Sequence, residues 1–213
     1  VWTREELAGL AALVERHDLY VVSDELHCDL LLDEGARHVP LAAAFPALSA
    51  RTLTLWAPSK TFNLAGLTTA CAVIPDAALR RRFAAVVKGL QPDGNVLGLV
   101  AAEAAHAHGE PWRQALLAVL RGHRQTLVER VAGWPGVTMS PPDSTYLAWL
   151  DLREAQALER LEGAPQRLLL ERAGVALSDG ADFGWPGFVR LNFGTTAKQL
   201  EAALKRLDGV LRG

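Results

Sequence analysis

Cysteine, methionine and lysine are scarce in these 213 residues. Cys28 and Cys71 are the only cysteines and no CxxC spacing occurs, so neither a disulfide framework nor a thiolate metal site is expected, and a reducing compartment is. Among the histidines, His106 and His108 are two apart and cannot share a helix face, and none of the others has a partner at ligand spacing; no metal is expected. No run of 18 apolar residues and no signal-peptide pattern occurs, so a cytoplasmic protein without a membrane role is expected. Net charge is −2 and no basic stripe with interleaved aromatics is present, which argues against nucleic acid as a partner. What is there in quantity is apolar: 50% of residues are hydrophobic and 22% charged, enough to bury a sizeable core in one large or two modest domains.

The shortage of lysine is the most informative of these. The chain has 22 basic residues, yet only Lys60, Lys88, Lys198 and Lys205 are lysines. Lys60 sits in Ala57-Pro58-Ser59-Lys60-Thr61-Phe62-Asn63, directly after the apolar run Leu53-Thr54-Leu55-Trp56. Arginine stays charged and is no nucleophile, whereas a desolvated lysine can lose its proton and act as nucleophile or base. Upstream, Tyr20-Val21-Val22 runs straight into Ser23-Asp24-Glu25. Open α/β sheets place ligands at the carboxyl ends of their strands, so two neighbouring strand ends would present a carboxylate and an amine to one crevice. Taken alone, Asp24 reads equally as a helix N-cap and Lys60 as a solvated loop lysine.

Three segments carry a resemblance. They are Ser-Asp-Glu-Leu-His-Cys-Asp-Leu (Ser23 to Leu30), Ala-Pro-Ser-Lys-Thr-Phe-Asn-Leu-Ala-Gly-Leu (Ala57 to Leu67), and Phe-Val-Arg-Leu-Asn-Phe (Phe188 to Phe193). In order and spacing they resemble the fold-type I pyridoxal-phosphate enzymes, and within them the MalY/PatB-type cystathionine β-lyase branch of the class I/II aminotransferase superfamily. Aminotransferases of that superfamily usually carry tyrosine where this chain has His27, and often a phosphate-binding arginine where it has Thr68; both departures favour a lyase. The resemblance implies an α/β fold. Residues 1–111 would be the C-terminal part of the large cofactor-binding domain, a mostly parallel sheet with helices on both faces. Residues 112–213 would be a linking helix and a small C-terminal α+β domain. It also implies that this chain is the C-terminal portion of the enzyme. The remainder would supply a phosphate-binding turn, an aromatic residue stacked on the cofactor and an asparagine near its ring hydroxyl.

The periodicity predicts helices at Glu5–His17, Leu41–Phe45, Asp76 to about Gly89, Val96–His108, Glu110–Ala132, Arg153 to about Ala173, and Ala197–Leu211. Strands are expected at Leu19–Val22, Thr52–Trp56, Leu67–Ile74, Thr145–Leu150, Val175–Leu177 and Phe188–Phe193. Thr3 and Glu6 read as a capping box. The run Arg80-Arg81-Arg82 reads as a solvated face.

By resemblance, Lys60 is the catalytic residue: it binds pyridoxal 5′-phosphate covalently and later removes the substrate α-proton. Asp24 holds the proton on the pyridine nitrogen. Ser59 binds the phosphate and His27 approaches the ring hydroxyl edge. Arg190 lies in a strand of alternating pattern, where its fork suits an amino-acid α-carboxylate. Tyr146 is assigned to packing. The implied activity is cleavage of cystathionine or a related cysteine thioether to thiol, pyruvate and ammonia, by a homodimer. A class I/II aminotransferase would use the same residues, and a non-catalytic regulatory protein on this scaffold is the third reading.

Overall fold

The computed structural model describes residues 1–90, 94–158 and 162–212. The chain divides into two compact units, Val1–Ala115 and Leu116–Gly213.

The first unit opens on helix α1, Arg4–Arg16. Its N-terminus is closed by the expected capping box: the Glu6 N–H donates to Thr3 Oγ1 at 3.1 Å, and the Thr3 N–H donates to Glu6 Oε2 at 2.8 Å. Leu7, Ala11 and Val14 on one face of α1 pack with Leu41 of the short helix α2 (Leu41–Ala44) and with Leu48. Strand β1 (Val21–Asp24) lies against this core through Val21. β1 pairs in parallel with β2 (Thr52–Trp56), from Val21↔Thr52 to Asp24↔Leu55. β2 in turn pairs antiparallel with β3 (Cys71–Val73). Helices α3 (Ala77–Val87, capped by Asp76), α4 (Val96–His108) and α5 (Glu110–Val131) follow. Within α4, Gly98 faces the return loop: a Cβ there would meet the Leu67 carbonyl at 2.9 Å, so only glycine lets helix and loop approach.

Two expectations for this unit are corrected. The first strand begins two residues later than Leu19, because Asp18 adopts a left-handed φ of 51° and the Leu19 N–H closes α1 onto the Val14 carbonyl at 3.0 Å. Ser23 and Asp24 therefore belong to the strand. The strand expected over Leu67–Ile74 shrinks to β3, because a 3-10 turn at Ala65–Leu67 and a left-handed Thr68 (φ 47°) occupy its first residues. One of the two pairings in this sheet is antiparallel, since the β2–β3 connection carries no α-helical crossover.

The second unit has the sheet order β4-β5-β7-β6, all pairs antiparallel. The strands are β4 (Thr138–Met139), β5 (Leu147–Asp151), β6 (Ser178–Asp179) and β7 (Phe188–Asn192). Ala148 and Leu150 of β5 and Val189 and Leu191 of β7 are buried. Leu117, Leu120 and Leu127 of α5 are buried as well, as are Leu200, Leu204, Leu207 and Leu211 of α7 (Ala197–Leu211). Gly136 stands at φ 76°, where a Cβ would run into the Glu154 carbonyl.

The long helix expected from Arg153 is instead a 3-10 turn at Gln156–Leu158 and helix α6 (Pro165–Ala173); its part over residues 159–161 lies outside the described residues. Pro165 starts α6 rather than continuing a helix, since proline has no N–H to donate. Left-handed Thr145 (φ 67°) delays β5 to Leu147. The strand expected at Val175–Leu177 starts three residues later, at Ser178–Asp179.

Asp208 of α7 ties this unit together. It accepts hydrogen bonds from Arg130 Nη1 (2.5 Å) and Trp134 Nε1 (2.8 Å) and pairs with Arg212 Nε at 3.1 Å. Burial alone would raise its carboxyl pKa, but bonds from Trp134 and Arg130, with the charges of Arg130 and Arg212, hold it below the ordinary carboxylate range. A depressed folded-state pKa contributes stability that is complete above the unfolded value of about 3.9 and fades as pH falls through the folded one. Asp208→Ala should therefore lower the stability of the second unit by about 2 kcal/mol at neutral pH. The gap from the parent should close as pH drops below about 4 in urea titrations followed by tryptophan fluorescence.

Candidate active site

The parallel register of β1 and β2 brings both strands to their carboxyl ends side by side. The ladder runs one residue further, with the Glu25 N–H donating to the Leu55 carbonyl at 2.9 Å. Side chains alternate faces along a strand. Val21, Ser23 and Glu25 point to the covered face; Val22 and Asp24 point away from it and are exposed. Asp24 Oδ1 accepts the Leu26 N–H at 3.2 Å, which turns the chain and satisfies one backbone donor as it leaves the strand. His27 and Cys28 follow, half-buried, in that turn. Burial pushes the Cys28 thiol up to about 11, with the Asp29 and Glu25 charges adding to the effect.

After β2 the chain folds into a tight turn. The Phe62 N–H donates to the Pro58 carbonyl at 2.9 Å, and the Leu64 N–H to the Ser59 carbonyl at 3.2 Å. Ala57, Pro58 and Thr61 are buried, whereas Ser59 and Lys60 are half-buried. Lys60 makes no ion pair or hydrogen bond among the described residues, so its amine is uncommitted. Thr61 is 1% exposed and its Oγ1 has no hydrogen-bond partner among the described residues. An unpaired buried hydroxyl is costly.

The first turn of α5 ties the two loops to each other. Arg113 Nη1 donates to the Asp29 carbonyl at 3.0 Å, and Trp112 Nε1 donates to the Thr61 carbonyl at 3.3 Å. Arg113 is itself held by Glu110, whose carboxylate pKa is lowered to about 2, first by the hydrogen bond from Arg113 and then by that from Gln114.

The four expected cofactor residues thus all lie in the first unit, Asp24 as the last residue of β1 and His27, Ser59 and Lys60 on the loops leaving β1 and β2. Arg190 lies in the second, in mid-β7, between Trp149 of β5 and Ser178 of β6. Its Nη2 donates to Ser178 Oγ at 3.2 Å and its guanidinium lies over the Phe183 ring at 4.7 Å. A cavity of about 430 Å³ borders it, lined also by Asn192, Thr195 and Gln199. Tyr146 packs against Gly194, and burial raises its phenol pKa.

Sequence reasoning missed two features. One is the buried Glu25, paired with His38 at 2.7 Å; the alternation Val21-Ser23-Glu25 marked it for the covered face, but its partner is thirteen residues away. The other is Thr61, whose burial no sequence pattern signals.

The class I and II aminotransferase profile matches residues 1–207. The chain belongs to that family. Among curated relatives of this aminotransferase-family chain, cystathionine beta-lyase PatB of Bacillus subtilis (strain 168) is 36% identical over 217 residues, 99% of the chain and 54% of the relative. Protein MalY of Escherichia coli (strain K12) is 36% identical over 222 residues, 100% of the chain and 54% of MalY. Among solved structures, OvoB superposes with a TM-score of 0.93 at 42% identity, covering 99% of this chain and 54% of that one. The PLP-bound C-S lyase from Staphylococcus hominis gives 0.91 at 28% identity, covering 100% and 54%. The chain spans about half the length of the curated relatives it matches.

Two outcomes are expected at this site. Thr61→Val removes an unpaired hydroxyl without changing shape, so the unliganded chain should be equally stable or more stable by about 1 kcal/mol in urea melts; a comparable loss would show that the hydroxyl is satisfied. Exposed Cys71 should react with a thiol reagent at pH 8 well before Cys28, whose thiolate fraction there is about one in a thousand. Peptide mapping of a partial modification reads the order.

Proposed function

We propose that this chain carries the lysine and the carboxylate of a pyridoxal 5′-phosphate-dependent carbon–sulfur β-lyase, acting on cystathionine or a related cysteine thioether to give thiol, pyruvate and ammonia. The observation that carries the reading is the placing of Asp24, the last residue of β1, and of Lys60, on the loop after β2, at the common end of the two strands, in a chain 36% identical to a cystathionine beta-lyase.

The residues fit the cofactor. An uncommitted amine at Lys60 suits an aldehyde carbon, the exposed Asp24 carboxylate suits a ring N–H, and the hydroxyls of Ser59 and the unpaired Thr61 suit a phosphate. Pyridoxal phosphate, when bound, supplies an electron sink for charge developing at the substrate α-carbon. Lys60 Nζ would hold the cofactor and, as a free amine, would take the substrate α-proton as general base, work of about 10²–10⁴-fold. Asp24 would keep the ring nitrogen protonated. Ser59, through its Oγ and N–H, would hold the phosphate, and His27 would serve the ring hydroxyl edge. Arg190 would offer its remaining guanidinium donors to an α-carboxylate.

Residues 1–111 are proposed as the C-terminal part of the large cofactor domain, and 112–213 as the linking helix and small domain. A cytoplasmic homodimer is part of the reading: both cysteines are free, no described helix is long and apolar enough to cross a membrane, and α4 exposes Val96, Leu97, Leu99 and Val100. Threonine at position 68, where aminotransferases of the superfamily often carry a phosphate-binding arginine, and the lower identity (28%) to the aspartate aminotransferase of Geobacillus stearothermophilus support lyase over aminotransferase.

Borohydride reduction of the protein with added pyridoxal phosphate, followed by peptide mapping, should place the pyridoxyl group on Lys60. Label on Lys88, Lys198 or Lys205 instead would overturn the assignment. Pyruvate released from L-cystathionine without an added keto acid supports the lyase; product formed only with a keto-acid acceptor supports the aminotransferase.

A further inference from the structure

We propose that Glu25 and His38 form a positioning pair for Asp24, fixing which face of β1 that carboxylate occupies. The inference rests on the reading of Asp24 as partner of the cofactor ring nitrogen.

Glu25 is 7% exposed. A carboxylate this buried is tolerated only when paired and hydrogen-bonded. Both its oxygens are committed: Oε1 accepts the Ser23 hydroxyl at 2.9 Å, and Oε2 meets His38 Nε2 at 2.7 Å. His38 belongs to the irregular segment before α2, so the contact fastens that segment under the end of β1. The Glu25 main chain also extends the ladder, its N–H donating to the Leu55 carbonyl of β2 at 2.9 Å.

Strand geometry turns this into control of Asp24. Neighbouring side chains must point to opposite faces, so pinning Ser23 and Glu25 to the covered face sends Asp24 to the open one. There its Oδ1 takes the Leu26 N–H. Without His38, a buried carboxylate is left short of a donor. The least costly remedy is for the end of β1 to twist until Glu25 reaches water, which breaks the Glu25 main-chain bond to Leu55 and swings Asp24 off its face. Neither Glu25 nor His38 needs to touch the cofactor; both act through Asp24.

The test uses the full chain with His38→Ala and His38→Gln; the glutamine amide replaces the Nε2 donor without the ring. Hydrogen exchange at the Glu25 and Leu26 amides reads the strand end, and that at Leu10 and Ala11 of α1 serves as the control. Absorbance titration with pyridoxal 5′-phosphate reads the cofactor. His38→Ala should speed exchange at Glu25 and Leu26 about tenfold, leave α1 within about twofold, and weaken cofactor binding about tenfold. His38→Gln should restore both to within about threefold of the parent. Unchanged exchange at Glu25 and Leu26 would overturn the proposal. So would equal acceleration in α1, which makes the pair mere core support, or failure of His38→Gln to rescue. Selective acceleration and rescue in a protein that binds no pyridoxal phosphate would support the positioning of Asp24 and sink the cofactor reading.

Discussion

The parallel ladder between β1 and β2 is the constraint on which the first unit depends. It is short, running from Val21↔Thr52 to Asp24↔Leu55. Its direction matters more than its length. Parallel strands end on the same side, so two segments separated by some thirty residues of chain deliver their exit loops together. An antiparallel pairing would have put Asp24 and Lys60 at opposite ends of the sheet. Loop backbone has no ladder to satisfy it, and here the first turn of α5 supplies donors to both loops, Arg113 to Asp29 and Trp112 to Thr61. The helix thereby links the two loops.

The same division of labour appears in both units. In β1 the covered face carries Val21, Ser23 and Glu25, and the other carries Asp24. In β7 the core face carries Val189 and Leu191, and the other carries Phe188, Arg190 and Asn192. Arg190 is restrained without being used up. Its plane rests on Phe183 and one of its five donors goes to Ser178, which leaves a pre-oriented fork. A guanidinium held in this way gives up less side-chain entropy on binding than a free one.

Buried charge is handled differently in each unit. Asp208 gathers two arginines and a tryptophan N–H, and the carboxyl pKa falls because those donors outweigh burial. Glu25 has only a hydroxyl and an imidazole. It sits next to the carboxylate that is left exposed, Asp24. The two neighbours differ in environment only because the pleat sends them to opposite faces.

The sequence by itself determined the family, most of the element order and the candidate residues; β4 (Thr138–Met139) went unread. Capped, strongly periodic helices were legible within about a residue, as with α1, α4 and α7, because capping and the 3.6-residue period are local properties. Strand Thr52–Trp56 was legible because its short apolar run, closed by Ala57-Pro58, is equally a local signal. Strand limits failed where a single left-handed residue intervened, at Asp18, Thr68 and Thr145, none of them a glycine that would have announced the turn. The antiparallel return of β3 and the shift of β6 to Ser178–Asp179 depend on pairing partners distant in the chain. Only the tertiary structure decided that Glu25 meets His38, that Thr61 is buried, and that Phe183 lies under Arg190. Each of these is a contact across sequence, set by how separate elements pack, and no local pattern encodes it.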